Sequence, residues 1–355
     1  MGGVKAINLV LLAGCLAACN GAQTTHHPEP DAPPPPPITQ EDMTQLRQAS
    51  CSDPADFITP QSIPLTITPI VPDTQDGARL EGLKFAGAWH LESEEPNFGG
   101  LSGLAVHPKD HLLAVSDSGS FIWISMREHA PSGFGAIAYM RDENGNALDG
   151  KTDADAEGLA MDNGLALVSF ERNHRVLAFD LANCGAAANG AVLAQIPARL
   201  AGLESDIPDN QGAEALTLSA DRQLVAGLEI KAGQGAPIVN VAPDKATFSA
   251  YIPRPGDKRL VGLDTLDGTT FSLFRSYSPL TGNANEIHAR LLGNPEPKTL
   301  ATLKRPFPVD NFEGITATRL PDGTVRLYII SDDNFSAKQR TLLMAFDITP
   351  PEPQN

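Results

Sequence analysis

The chain has 355 residues, 26 of them basic and 43 acidic, for a formal net charge of −17. So acidic a surface excludes nucleic acid and anionic membrane faces as binding partners. Its 31 glycines and 30 prolines break the sequence into short runs, the punctuation of strands and turns.

The first element is the apolar run from Ala6 to Ala18, preceded by Lys5. It is too short to cross a bilayer and has the shape of a signal peptide. Two strings, "LAGC" ending at Cys15 and "LAAC" ending at Cys19, resemble the lipobox of bacterial lipoproteins, whose cysteine is lipidated and becomes the mature first residue. Cutting before Cys15 would leave a very short apolar region, so Cys19 is the expected lipidation site and 1–18 the signal peptide. An ordinary cleaved secretory signal is the alternative. Asn20 is not the aspartate associated with inner-membrane retention in such lipoproteins, which favours the outer membrane. Residues 19–50 read as a Pro-rich flexible tether, stiffened by polyproline at Pro33 to Pro37. His26 and His27, isolated within it, are not expected to bind metal. Residues 51–82 alternate apolar and polar positions but are broken by prolines, and are expected to lie along the domain surface. With Cys15 and Cys19 removed or acylated, an exported chain keeps Cys51 and Cys184, a disulfide candidate, with two separate buried thiols as the alternative.

From residue 83 to 348 one phrase recurs. It reads "LSGLAV" from Leu101, "AEGLAM" from Ala156, "AEALTL" from Ala213, "LVGLDT" from Leu260 and "FEGITA" from Phe312. Its second positions, Ser102, Glu157, Glu214, Val261 and Glu313, stand 55, 57, 47 and 52 residues apart. A period near fifty suits a four-stranded propeller blade. Each phrase is followed by further short apolar runs, such as "HLLAVSDSG", "FIWISM" and "GAIAYM", and no segment keeps a sustained helical period. The sequence predicts an all-β fold, a β-propeller of five four-stranded blades with six as the alternative. The last repeat lacks a fourth strand before the tail 349–355, and "LKFAGAWHL" at 83 is expected to supply it, closing the ring. The phrase marks the innermost strand, where Gly103, Gly158, Ala215, Gly262 and Gly314 let backbones approach.

First-strand starts and second-strand ends converge on one mouth, which collects most of the charged candidates. Glu157, Glu214, Glu313 and Asp333 form the expected metal ligands, because carboxylates around one axis repel unless a cation such as calcium neutralises them. A carboxylate repeated blade by blade can equally be structural. Arg172, Arg275, Asp332 and Glu171 form the expected catalytic set, the arginines clamping an anionic group, with Glu171 holding Arg172 in place. His107 and His111 are read as a turn that does not bring them together. The chain has no G-x-S-x-G elbow, phosphate loop or dinucleotide fingerprint.

The strings "FGGLSGLAV", "AVSDSG", "DAEGLAM", "ERNHRVLAFD", "QGAEALTL", "NFEGITAT" and "SDDNFSAKQRTLLMAFD" resemble the phytase-like domain family, also called esterase-like activity of phytase. The likeness runs over 83–348. It implies an exported bacterial propeller that hydrolyses a small-molecule phosphoester or other ester; the lipobox adds a lipid anchor as the expected sole contact with the membrane. Val261, where three other blades carry glutamate, leaves any ring of acids incomplete. The alternative is a non-catalytic envelope lipoprotein whose propeller binds a protein or ligand partner.

Overall fold

The computed structural model describes residues 35–51, 57–107, 110–219, 221–231, 233, 235–291 and 296–348. Five sheets are arranged as blades of a propeller. Blade 1 runs Leu101–His107, His111–Ser116, Ser120–Arg127 and Ala130–Tyr139. Blade 2 runs Ala156–Asp162, Leu165–Phe170, Arg175–Asp180 and Ala191–Gln195. Blade 3 runs Ala213–Leu218, Leu224–Leu228, Ala236–Ala242 and Lys245–Ile252. Blade 4 runs Arg259–Leu266, Thr269–Ser278, Gly282–Leu291 and Lys298–Lys304. Blade 5 has Asn311–Arg319, Val325–Asp332 and Leu342–Ile348 from the C-terminal end.

Four strands precede the first blade: β1 (Gln61–Pro64), β2 (Thr66–Pro69), β3 (Ala78–Leu80) and β4 (Leu83–Glu92). β4 pairs with Leu342–Ile348 as the fourth strand of blade 5, and β2 adds outside it. β1 extends blade 1 and β3 extends blade 4. The prolines of this segment thus sit on outer edges, where a missing N–H breaks no ladder.

Tight turns set the register. Asn163–Gly164 and Asp267–Gly268 each place both residues in the left-handed region, φ 48° and 81°, then 50° and 75°. Such two-residue turns match the twist of the strands they join. The innermost strands form a ring, each packed on the next and the last on the first. Apolar side chains fill the gaps between blades. Leu165, Leu216 and Val239 lie between blades 2 and 3, Phe271, Ile287 and Phe312 between blades 4 and 5, and Phe121, Val168 and Phe179 between blades 1 and 2.

One expectation is corrected at the N-terminal side. Residues 40–50, assigned to a flexible tether, form helix α1 (Gln40–Ser50). A capping box starts it, with Thr39 and Asp42 exchanging side-chain and backbone hydrogen bonds. Met43 and Leu46 are buried against blades 2 and 3, and Arg47 Nη1 donates to Asp180 Oδ1 at 3.0 Å. The helix ends at Cys51, which a disulfide joins to Cys184 beyond the third strand of blade 2. The signal segment, Cys19, His26, His27 and the tail 349–355 lie outside the described residues.

Candidate functional site at the propeller mouth

The recurring phrase encodes a β-bulge. In blades 1, 3, 4 and 5 the ladder between the first two strands skips one residue: Ser102, Glu214, Val261 and Glu313. In blade 2 the irregularity falls at Glu157–Gly158. A bulge leaves one residue unpaired and re-aims its side chain. Here it turns that side chain to the axis, where Ser102, Glu214, Val261 and Glu313 line a channel of only about 10 Å³. The axis is plugged rather than open, and the three glutamates are buried beside it.

Burial sets their electrostatics. The Glu157 carboxyl is pushed well above the usual range, first by desolvation and then by the charges of Glu313, Asp155 and Glu171. Glu214 is raised likewise, by burial and then by Glu157, Glu229 and Glu313. Glu313 and Glu171 are raised by burial too, although Arg275 and a hydrogen bond with Glu214 respectively pull them back. Asp332, at the end of the second strand of blade 5, is pushed up to about 8 by burial and the charge of Glu313. Its Oδ2 accepts from Asn311 Nδ2 at 3.2 Å and its Oδ1 from the Asn334 N–H at 2.5 Å.

The mouth has two sides. On the side of blades 1 and 2, one carboxylate oxygen from each of Asp155, Glu157 and Glu171 lies within 4.8 Å of the others. Asp155 Oδ1 accepts from Lys151 Nζ at 3.0 Å, and its Oδ2 from Arg172 Nε at 2.8 Å. Lys151 also bonds Asp117. Burial opposes the Lys151 charge, but Asp117 and Asp155 outweigh it and raise its pKa. Arg172 has φ +60° and donates its backbone N–H to Asp209 O at 2.9 Å, while its side chain stays 39% exposed. Asp155, not Glu171, orients this arginine.

On the side of blades 3 to 5, Arg275 is buried among acids. Its Nη1 donates to Glu313 and Asn311, and its Nη2 to Glu229 Oε1 at 3.0 Å. Burial works against its charge, yet Glu313, Glu229 and Glu214 raise its pKa. Both terminal nitrogens of Arg275 therefore serve protein partners and are not free for the expected clamp, whereas Arg172 bonds a described side chain only through Nε. Asp333 does not join the acids on the axis. Its Oδ1 accepts from the Gly100 and Phe335 N–H groups at 3.0 Å each, and its Oδ2 from Thr341 Oγ1 at 2.9 Å. These bonds tie blade 5 to the chain entering blade 1.

The oxygen-only, buried group Asp155–Glu157–Glu171 fits a hard divalent cation. It shares Glu157 with the metal ligands expected from the sequence and takes Glu171 from the expected catalytic set. Asp155 flanks a first strand in "DAEGLAM", and its i, i+4 spacing from Lys151 was the readable signal for the pair. Arg259, whose Nη1 donates to Glu229 Oε2 at 2.6 Å, and Asn311 carried no such signal. His107 and His111 need a further correction. They face each other across a hairpin, with ring centroids 6.5 Å apart, because antiparallel pairing juxtaposes residues four apart around a short turn.

Several solved structures are similar to this chain. A glutaminyl cyclase from Myxococcus xanthus covers 77% of this chain and 97% of its own, at 12% identity and a TM-score of 0.43. A gluconolactonase from Xanthomonas campestris covers 82% and 98%, at 13% identity and a TM-score of 0.39. A putative oxidoreductase (glucose dehydrogenase) from Thermus thermophilus covers 79% and 99%, at 12% identity and a TM-score of 0.34. A search of curated proteins finds no match. The family description "Phytase-like: Esterase-like activity of phytase" matches residues 96–335, well over half the sequence. The chain belongs to this phytase-like family.

Proposed function

We propose that the chain is an exported, metal-assisted hydrolase of phosphoesters or related esters, with its reaction centre at Asp155, Glu157 and Glu171. The observation that carries this reading is the approach of three buried carboxylates within 4.8 Å, with two cations bonded to one of them. Family membership supports it. A divalent cation such as calcium, when bound, supplies charge that polarises the ester oxygen and activates water. The chain's own groups do the rest. Arg172, oriented by Asp155 through Nε, keeps its outer N–H groups for an anionic oxygen of the substrate. Lys151 adds a second positive charge at the rim. Asp332 holds a proton near neutral pH and is the mouth's donor for a leaving oxygen.

The test is release of phosphate or alcohol from a panel of simple phosphoesters and carboxylic esters, before and after chelation. Turnover that disappears with chelator and returns with calcium is expected; no turnover with any divalent ion would sink the reading. The competing view is a non-catalytic envelope lipoprotein that binds a ligand or partner at its mouth. It is favoured by the commitment of Arg275 to Glu229, Glu313 and Asn311.

A further inference from the structure

On the side of blades 3 and 4, the same mouth opens into a second recess, about 270 Å³ in volume. Its wall includes Lys231, Arg259, Arg275, Glu229, Asp257 and Tyr277. The cations differ in what they have left to offer. Arg275 is spent on Glu313, Asn311 and Glu229. Arg259 gives only Nη1, to Glu229 Oε2 at 2.6 Å, and its side chain is one-third exposed. That contact fixes the guanidinium plane and leaves its other N–H edge open. Lys231 is exposed, with no hydrogen-bond or ion-pair partner among the described residues.

Charge decides what fits. Arg275 and Arg259 pair with Glu313 and Glu229, so Lys231 is the one cation of the wall with no carboxylate partner among the described residues. One charge balances a carboxylate; a phosphate monoester, near −2 at neutral pH, would stay under-neutralised. The planar edge of an arginine also suits a planar carboxylate. Tyr277, 71% exposed, stands beside the recess as an apolar face for the carbon skeleton bearing the anion. The volume lies just below the usual range for whole-ligand pockets, so it holds a substituent.

We infer that this recess binds a carboxylate on the arm of the substrate remote from the bond that is cut, through Lys231 and Arg259. That the anion belongs to a substrate rests on the hydrolase reading above; the anion site itself does not. Binding energy from a remote group of this kind holds the reacting end in place.

The experiment is calorimetric titration of the full chain, dialysed free of divalent ions, with benzoate and separately with inorganic phosphate. Benzoate is expected to bind, at least about tenfold more weakly to Lys231→Ala and with unaltered affinity to Arg319→Ala, whose exposed pair with Asp267 lies outside both sites. Equal benzoate affinity in Lys231→Ala, binding of phosphate but not benzoate, or no binding of either would overturn the assignment. The outcome is separable from the hydrolase reading. Benzoate binding without turnover on any ester leaves this site standing and removes the reaction. Turnover without benzoate binding does the reverse.

Discussion

Arg172 is the residue whose role can be isolated most cleanly. Among the described residues its one hydrogen-bonded side-chain partner is Asp155, at 2.8 Å, and 39% of the side chain is open to solvent. An ion pair so exposed contributes under about 1 kcal/mol to folding. Arg172→Ala is therefore expected to melt within a degree or two of the parent while losing at least about tenfold in turnover or ligand affinity. Normal turnover in the variant would return the residue to the surface, and failure to fold would make it structural. Asp332 behaves oppositely, because its environment acts on stability. With its carboxyl pushed up to about 8, the folded chain keeps a proton that the unfolded chain releases near pH 4. Folded protein then binds more protons than unfolded between these values, so this group makes stability fall as pH rises from about 4 to about 8. Asp332→Asn removes the titration at the cost of the hydrogen bond from Asn311. In metal-free protein its melting temperature should fall less steeply than the parent's between pH 5 and 8.5; parallel profiles would refute the shifted carboxyl. At this scale the sequence was only partly legible. Glu157 and Glu171 stood out from repetition and strand ends. The partners that decide roles, Asp155 on Arg172 and Glu229 on Arg275, come together only through adjacent strands and blades, which residue spacing does not encode.

The blade is where the sequence reads best, because a bulge needs the same local chemistry each time it is built. The small residue after each bulge is a packing requirement. A Cβ on Gly262 would stand 2.4 Å from the Glu313 carbonyl oxygen and 3.0 Å from Ile315 Cγ2, on the innermost strand of blade 5. Blade 3 carries Ala215 there, and Gly227 on its own second strand leaves the space, since a Cβ on Gly227 would come within 3.2 Å of Ala215 Cβ. Overpacking of this kind costs about 1–3 kcal/mol. Gly262→Ala should lower the melting temperature by several degrees with little change in the far-ultraviolet spectrum. Unchanged melting would mean the ring can spread at no cost. The outer strands β1, β2 and β3 were not legible as sheet. Prolines interrupt their alternation, and edge pairing requires of a sequence little more than backbone. Helix α1 is hard to read from the sequence for a related reason. It is a single amphipathic helix of 11 residues, and its sign was the Thr39–Asp42 capping box rather than a long period.

For the molecule as a whole, the proposal places an acidic propeller on a lipid anchor in an oxidising compartment. The Cys51–Cys184 disulfide supports export, since such bonds persist where thiols are not kept reduced. Cells fed a palmitate analogue should label the full chain, and Cys19→Ala should abolish the label; a labelled Cys19→Ala protein would move the anchor elsewhere. The same disulfide also determines how a pull on the N-terminal segment would travel. Tension arriving before Cys51 crosses through the sulfur atoms into blade 2 at Cys184. The 133 residues of separation between the two cysteines fall off that line. They include β1 to β4, all of blade 1 and the three inner strands of blade 2. A load can unwind α1 and then meets a covalent link, so the strands lent to blades 1, 4 and 5 cannot be peeled away in sequence. Drag on a tethered domain would be borne by bonds rather than by the ring that shapes the mouth.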